Sequence, residues 1–283
     1  MTTPDFPLTA RALRDFARAA LTEDLGPGDI TCTSVIPDDA RLTALAQARE
    51  PLVCAGLPLA MAVFHELDAG CRIECPVREG ETVAAGGVLF KVSGQARALL
   101  SAERTALNIL QHLSGIATLT RRYAEAIEGT GAKLLDTRKT LPLWRPLAKY
   151  ATALGGAVNH RMGLYDAVMI KDNHIAVVGS VRRAVTAAKA AGQRNIQVEC
   201  DSLDQVAEAL AAGANRLLLD NMTPDTLRKA VALAAGRAST EASGGLTLDT
   251  IRAAAETGVD FVSVGRITQS APAVDIGLDF ASA

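Results

Sequence analysis

The chain has 283 residues, 49% of them hydrophobic, with 29 Lys and Arg against 31 Asp and Glu. That length buries a core without a disulfide or metal staple, the formal charge of −2 leaves no overall basic field for nucleic acid, and no run approaches the roughly 18 apolar residues of a membrane span. The five cysteines (Cys32, Cys54, Cys71, Cys75, Cys200) are odd in number and lack zinc-site spacing, so they read as free thiols of a protein expected in the cytoplasm, without a targeting segment.

Thr9 is placed to cap a first helix, with Leu13, Phe16, Ala17, Ala20 and Leu21 at helical spacing and Gly26-Pro27 at its end. From about Asp29 to Val92 the pattern predicts short strands broken by Gly and Pro, and "VREGETVAAGGVLFKVSG" carries hairpin-like turn signals. This stretch reads as a small separate layer. Ser101 is then expected to cap a helix with Ala106, Ile109, Leu110 and Leu113 on one face. Ser114-Gly115 is expected to interrupt it before a second helix toward Ile127, and to mark a domain boundary.

Beyond that point the apolar runs "KLLD", "AVMIK", "IQVE", "RLLLD", "TEAS" and "FVSVG" alternate with alanine-rich helical stretches. Ser202 with Gln205 reads as a capping box, Thr223-Pro224 as a cap followed by proline at the first helical position, and Gly192, Gly236 and Gly258 as helix stops. Repeated β-α units imply parallel strands buried on both faces, and about six of them suggest a barrel-like α/β sheet. An open doubly wound sheet is the competing layout.

In β/α barrels functional groups stand at the carboxyl ends of the strands. Here those ends carry Asp136, Arg138 and Lys139, then Lys171 and Asp172, then Glu199, Asp220, Ser243-Gly244-Gly245 and Gly265. One such charge can simply mark where a strand surfaces; six in step are harder to assign to that. Arg138, Lys139, Arg161 and Lys171, with His160 beside them, would make a pocket for one or more dianions. Salt bridges to Asp136, Asp166 and Asp172 are the alternative for some of these cations. Glu199 and Asp220 end neighbouring strands and could share a hydrated magnesium ion, or could instead cap a helix or pair with Lys171. "SGG" and the glycine of "VGRITQS" have the free backbone N–H groups that cradle a phosphate. By spacing alone Arg104 is a surface residue, Trp144 is packing, and His65, His112 and His174 lack metal-ligand spacing.

The segments "EDLGPGDIT", "LLDTRKT", "GGAVNHRMGLYDAVMIKDNH", "VECDSL", "LLLDN", "EASGG" and "TGVDFVSVG" closely resemble the quinolinate phosphoribosyltransferase family, and the likeness covers nearly the whole chain. The resemblance implies an N-terminal α/β sandwich over residues 1–114 and an open α/β barrel of about six parallel strands over 115–270. A tail, 271–283, would pack back on the first domain. It further implies a homodimer, itself able to build a hexamer, in which each site borrows the partner subunit's Arg104.

By the same resemblance, quinolinate's carboxylates meet Arg138, His160, Arg161, Lys171 and that Arg104. Phosphoribosyl pyrophosphate and Mg2+ engage Lys139, Glu199 and Asp220, with the 5-phosphate on Ser243, Gly244, Gly245 and Gly265, and Thr137, Val264 and Arg266 complete the substrate contacts. Lys139, Lys171, Glu199 and Asp220 would be the catalytic residues and Glu199 and Asp220 the metal ligands. The implied enzyme is a glycosyltransferase that joins the pyridine nitrogen to ribose C1 and loses the C2 carboxylate, giving nicotinate mononucleotide for NAD synthesis. Leu143-Trp144, Ala157, and Arg266 with Gln269 depart from the family pattern, the last where a histidine is usual. The rival readings are a molybdate-transport-associated homologue of the same architecture, a Schiff-base lyase using Lys171, and a lipoyl-type carrier built on the hairpin-like segment.

Overall fold

The structure, a computed structural model, describes residues 3–280. In chain order the elements begin with α1 (Ala10–Leu25), α2 (Ile30–Val35), β1 (Arg41–Ala48), β2 (Leu52–Val53), α3 (Leu57–Leu67), β3 (Arg72–Glu74), β4 (Thr82–Val83) and β5 (Val88–Gln95). Then come α4 (Ala96–Ala126), β6 (Lys133–Leu135), α5 (Arg145–Gly155), β7 (Val168–Ile170), α6 (Asp172–Val178), α7 (Val181–Ala190), β8 (Ile196–Cys200) and α8 (Leu203–Ala212). The last are β9 (Arg216–Asp220), α9 (Pro224–Ala234), β10 (Ser239–Ser243), α10 (Ile251–Ala255), β11 (Phe261–Ser263), α11 (Arg266–Gln269) and β12 (Ile276–Phe280). Two compact units result: 3–121 with 146–155 and 271–280, and 122–145 with 156–270.

The first unit is built on a four-stranded antiparallel sheet in the order β12-β1-β5-β3. Thr9 caps α1, its hydroxyl accepting from Ala12 N at 3.3 Å, and Gly26 ends it at φ 52°. Where strands were expected, α3 forms. Its sequence is apolar nearly all round, so it shows neither helical nor strand alternation, and it buries Leu57, Leu59, Ala60, Val63 and Phe64. Gly56, at φ 104°, has no side chain to cap α3; the Glu79 carboxylate does so, accepting from the N–H groups of Gly56 and Leu57. The hairpin-like segment is not a hairpin, because β4 pairs with β2 while β5 pairs with β1 and β3.

The expected break at Ser114-Gly115 is absent: α4 runs unbroken for 31 residues. Ser101 lies inside it and donates to Asp29 Oδ2 at 2.8 Å instead of capping. Ser114 exchanges hydrogen bonds with the backbone of Ala55, and a Cβ on Gly115 would overlap the carbonyl oxygen of Pro272. This pair therefore permits close approach of neighbouring chain, and the first unit runs past it to Arg121. Beyond Pro272 the tail pairs as β12 with β1, from Ala48↔Ile276 to Ala44↔Phe280; residues 281–283 of the expected tail lie outside the described residues.

The second unit carries six parallel strands in the order β6-β11-β10-β9-β8-β7. The first of them in sequence thus pairs with the last, and the others follow in turn. That is the order of a barrel, whereas a doubly wound sheet reverses direction at an internal strand. Among the described residues β6 and β7 are not paired to each other, so the barrel is open there. Apolar residues on alternate positions, such as Ile196 and Val198 or Leu217 and Leu219, are fully buried. Ser180, Ser202 and Thr223 cap α7, α8 and α9. The capping box at α8 is only half formed, since Gln205 Oε1 accepts from Asp201 N and not from the cap.

A Gly115→Ala variant should lose about 1–3 kcal/mol despite the better helix propensity of alanine, because the added methyl overpacks α4 against Pro272. The midpoint of urea unfolding checks this.

Candidate active site

Side chains two apart on a strand face the same side, and the pocket at the carboxyl ends of the second unit's strands is lined by residues so spaced, two of the pairs within strands and the others at or just past a strand's end. Its wall includes Asp136 and Arg138, Met169 and Lys171, Leu218 and Asp220, Glu241 and Ser243, and Ser263 and Gly265. The later member of each pair forms a rim and the earlier a floor. Glu199 completes the rim, and the space enclosed is about 860 Å³, within the range of small-molecule sites.

Cations crowd one part of the rim. Arg161 has its pKa pulled below the ordinary guanidinium value, first by burial and then by the charge of Arg138. Its Nη1 donates to Ala167 O at 3.0 Å. Arg138 Nε is buried and has no hydrogen-bond partner, an arrangement that costs stability unless a ligand supplies an acceptor. Ile170 lies in register with Val198, so the next residues, Lys171 and Glu199, meet and their side chains form an ion pair. The Lys171 N–H is in turn held by His174 Nδ1 at 2.9 Å.

His160 lines the pocket with most of its side chain enclosed by protein. Its Nδ1 accepts the Arg161 N–H at 2.7 Å, its Nε2 lies 3.3 Å from Glu241 Oε2, and the side chain is 7% exposed. Both ring nitrogens thus face protein. Asp136, fully buried, accepts from His160 N at 2.8 Å and from Asn159 Nδ2 at 2.7 Å, so it anchors the 159–161 backbone.

Asp220 closes β9, in register with Ser243, and accepts from Asn221 Nδ2 at 2.6 Å. Among the described residues no group of three or more His, Cys, Asp and Glu side chains is arranged around a metal. Magnesium does not require one: it takes one or two carboxylates and fills its shell with water and phosphate oxygens. The partly buried Asp220 and Glu199 fit that donor set.

The phosphate-type loop depends on glycine. Gly244 and Gly245 have φ of 98° and 59°, and a Cβ on Gly244 would lie 2.6 Å from Asn221 Cγ and 2.7 Å from its N. Asn221 itself has φ 53° and donates its N–H to Ser243 O, tying this loop to the end of β9. Gly265 lies against Lys139, where a Cβ would come 3.0 Å from Cδ, and Thr268 Oγ1 fixes the Lys139 carbonyl at 2.8 Å.

All the residues expected at the site line this pocket except Arg104, which is exposed on α4 in the first unit. Thr137, Val264, Arg266 and the departing Gln269 are in the wall with the rest. Sequence reasoning missed the floor: Met169, Leu218, Glu241 and Ser263. The available signal was position, since each lies two residues before a rim residue or its loop.

Residues 116–279 match the family described as quinolinate phosphoribosyl transferase, C-terminal domain, and residues 29–114 match its N-terminal domain. The chain is 46% identical over 275 residues to the nicotinate-nucleotide pyrophosphorylase (carboxylating) of Mycobacterium leprae (strain TN), covering 95% of this chain and 97% of that one. It is 42% identical to the probable nicotinate-nucleotide pyrophosphorylase (carboxylating) of Bacillus subtilis (strain 168), covering 91% and 89%. The solved nicotinate-nucleotide pyrophosphorylase of Francisella tularensis superposes with a TM-score of 0.92 at 38% identity, over 99% of this chain and all of that one.

One departure is visible in the backbone: Leu143 sits in the left-handed region, at φ 67°, with 92% of its surface exposed. Left-handed backbone costs an L-residue roughly 1–2 kcal/mol. Leu143→Gly should therefore stabilise the protein by about 0.5–1 kcal/mol after the entropy of the freer unfolded chain is counted, read from the urea midpoint.

Proposed function

The chain belongs to the quinolinate phosphoribosyltransferase family, and from that premise we infer how its own pocket carries out the reaction. The enzyme transfers the phosphoribosyl group of 5-phosphoribosyl 1-pyrophosphate to quinolinate with decarboxylation, giving nicotinate mononucleotide, pyrophosphate and carbon dioxide for NAD synthesis. The observation that carries the residue assignment is the pair Arg138 and Arg161: two guanidinium groups repelling each other, one with a buried donor unmet. A diacid supplies both the negative charge and the acceptor.

In this reading Arg138, Arg161 and Lys171 grip the two carboxylates and aim the ring nitrogen at ribose C1. The nitrogen lone pair forms the new bond as the bond from C1 to the pyrophosphate oxygen breaks. Lys139 meets the charge developing on the leaving group, and Glu199 and Asp220 face the positive charge developing on the ribose. The alkylated nitrogen is cationic, so it stabilises the electron pair left at C2 when carbon dioxide departs; C2 then takes a proton from water. Ser243, Gly244, Gly245 and Gly265 present N–H groups to the 5-phosphate, Arg266 adds charge there, and Thr137 and Val264 shape the wall. Glu199 and Asp220 would hold magnesium, which when bound neutralises diphosphate charge.

His160 lines the pocket, its Nδ1 accepting the Arg161 N–H and its Nε2 lying 3.3 Å from Glu241 Oε2. Lys171 is not placed as a Schiff-base nucleophile, being the ion-pair donor to Glu199. We assign Arg104 to the site of a partner subunit in a homodimer; its exposure on α4 supports this. The five free cysteines favour the cytoplasm, and among the described residues no helix is long and apolar enough to cross a membrane.

Purified protein given quinolinate, phosphoribosyl pyrophosphate and magnesium should release pyrophosphate and carbon dioxide in equal amounts. Turnover of nicotinate in place of quinolinate would overturn the assignment. Arg138→Ala should cost about a hundredfold or more in kcat/KM for quinolinate, as expected for losing a charge-assisted double contact. Mixing Arg104→Ala chains with Lys171→Ala chains should restore activity through hybrid dimers; proven hybrids without activity would remove Arg104 from the site.

A further inference from the structure

Thr268 is 3% exposed, on the one-turn helix α11. Its neighbours Gly265, Arg266 and Gln269 are in the pocket wall and it is not. A threonine in a helix ordinarily turns its hydroxyl back onto a carbonyl of the preceding turn. Here that contact, to Gly265 O, is 3.3 Å, and the shorter bond, 2.8 Å, leaves the helix for Lys139 O. The one hydroxyl proton therefore serves Lys139, 129 residues away in sequence.

That bond continues a line of backbone pairing. β6 and β11 run in register up to Leu135 and Ser263, and Val264 N donates to Leu135 O at 3.1 Å. Past this point the chain leaving β6 enters the loop that carries Arg138 and Lys139, and the Thr268 hydroxyl ties that loop to α11. The Lys139 N–H is held by Thr137 Oγ1 at 3.1 Å. The lysine side chain then runs along Gly265, where an added Cβ would lie 3.0 Å from Cδ and 3.6 Å from Nζ. Its backbone is thus tied to α11 and its stem lies against the glycine that opens α11, so one helical turn sets both ends of the residue.

We propose that Thr268 is a positioning residue for the phosphoribosyl transfer: through the Lys139 carbonyl it holds the Lys139 ammonium group where charge develops on the leaving pyrophosphate, without touching substrate. The inference rests on the reading of Lys139 as the residue that meets that charge. It predicts a selective defect, in the chemical step and in pyrophosphate binding. Two of the three cations that grip quinolinate, Arg161 and Lys171, stand on other loops.

The test compares Thr268→Val, which keeps the shape and removes the hydroxyl, with Thr268→Ser, which keeps the hydroxyl. In Thr268→Val, kcat should fall about tenfold while KM for quinolinate stays within about twofold. The Kd for pyrophosphate, read by calorimetry with magnesium present, should rise several-fold, and Thr268→Ser should recover most of both losses. In a Lys139→Ala background Thr268→Val should change that Kd by less than in the unaltered chain, because the group it positions is gone. A merely structural hydroxyl would keep its full effect there. An unchanged kcat in Thr268→Val, an equal loss in Thr268→Ser, a matching rise in quinolinate KM, or a full effect on Lys139→Ala would each overturn the proposal. If Thr268→Val fails to fold, Thr268→Ala is judged against Thr268→Ser by the same criteria. Undiminished kcat in Lys139→Ala would instead remove the reading of Lys139 and the premise with it, whereas impaired Lys139→Ala beside an unaffected Thr268→Val would strike at Thr268 alone.

Discussion

A strand lets every second side chain look the same way, and a sheet of six parallel strands bent toward a barrel turns that constraint into layers. Within β9 and β10 the pocket follows from it directly, and at the other strands the chain carries the spacing just past the strand's end. The upper layer, Arg138, Lys171, Glu199, Asp220, Ser243 and Gly265, meets solvent and ligand; the lower one holds Asp136, Met169, Leu218, Glu241 and Ser263. Register then decides neighbours: Ile170 opposite Val198 brings Lys171 to Glu199, and Asp220 opposite Ser243 brings the metal-type carboxylate to the glycine loop. Separate cationic and anionic regions result from a backbone pattern rather than from any one side chain.

Electrostatics explains why the site is stable before a ligand arrives. Like charges at Arg138 and Arg161 oppose each other, and the charge of Asp166 offsets part of this at Arg161. Asp136 and Glu241 are both nearly inaccessible, and both engage the 159–161 segment, one at its backbone and the other at the His160 ring. Preorganisation of this kind means that the cations need little rearrangement when a dianion binds.

The rim was legible in the sequence because charged residues and glycines recur just after short apolar runs, as in "LLLDN" and "EASGG". The floor was not, since Met169 and Leu218 look like ordinary core and Glu241 looks like the start of a loop motif until the strands are aligned. Barrel helices were read well from Thr223-Pro224 and Ser202, whose caps are local chemistry. The first unit was read poorly: α3 is apolar on all sides, and its cap is supplied by Glu79, 22 residues away from Leu57. Gly115 misled for a related reason, since a glycine that admits a neighbouring backbone looks in sequence like one that ends a helix. Arg104 came from family likeness alone.

The pairing of β1 with β12 bears on how the protein is made. Arg49, just past β1, and Asp279, within β12, are 230 residues apart, an interval of roughly 10–50 s at ribosomal speeds of about 5–20 residues per second. For that time the nascent chain carries β1 with one edge open, offering unpaired N–H and C=O groups to any other strand. The central antiparallel layer is thus completed only once β12 has been made, and shielding of that edge until then becomes a condition for reaching the native state.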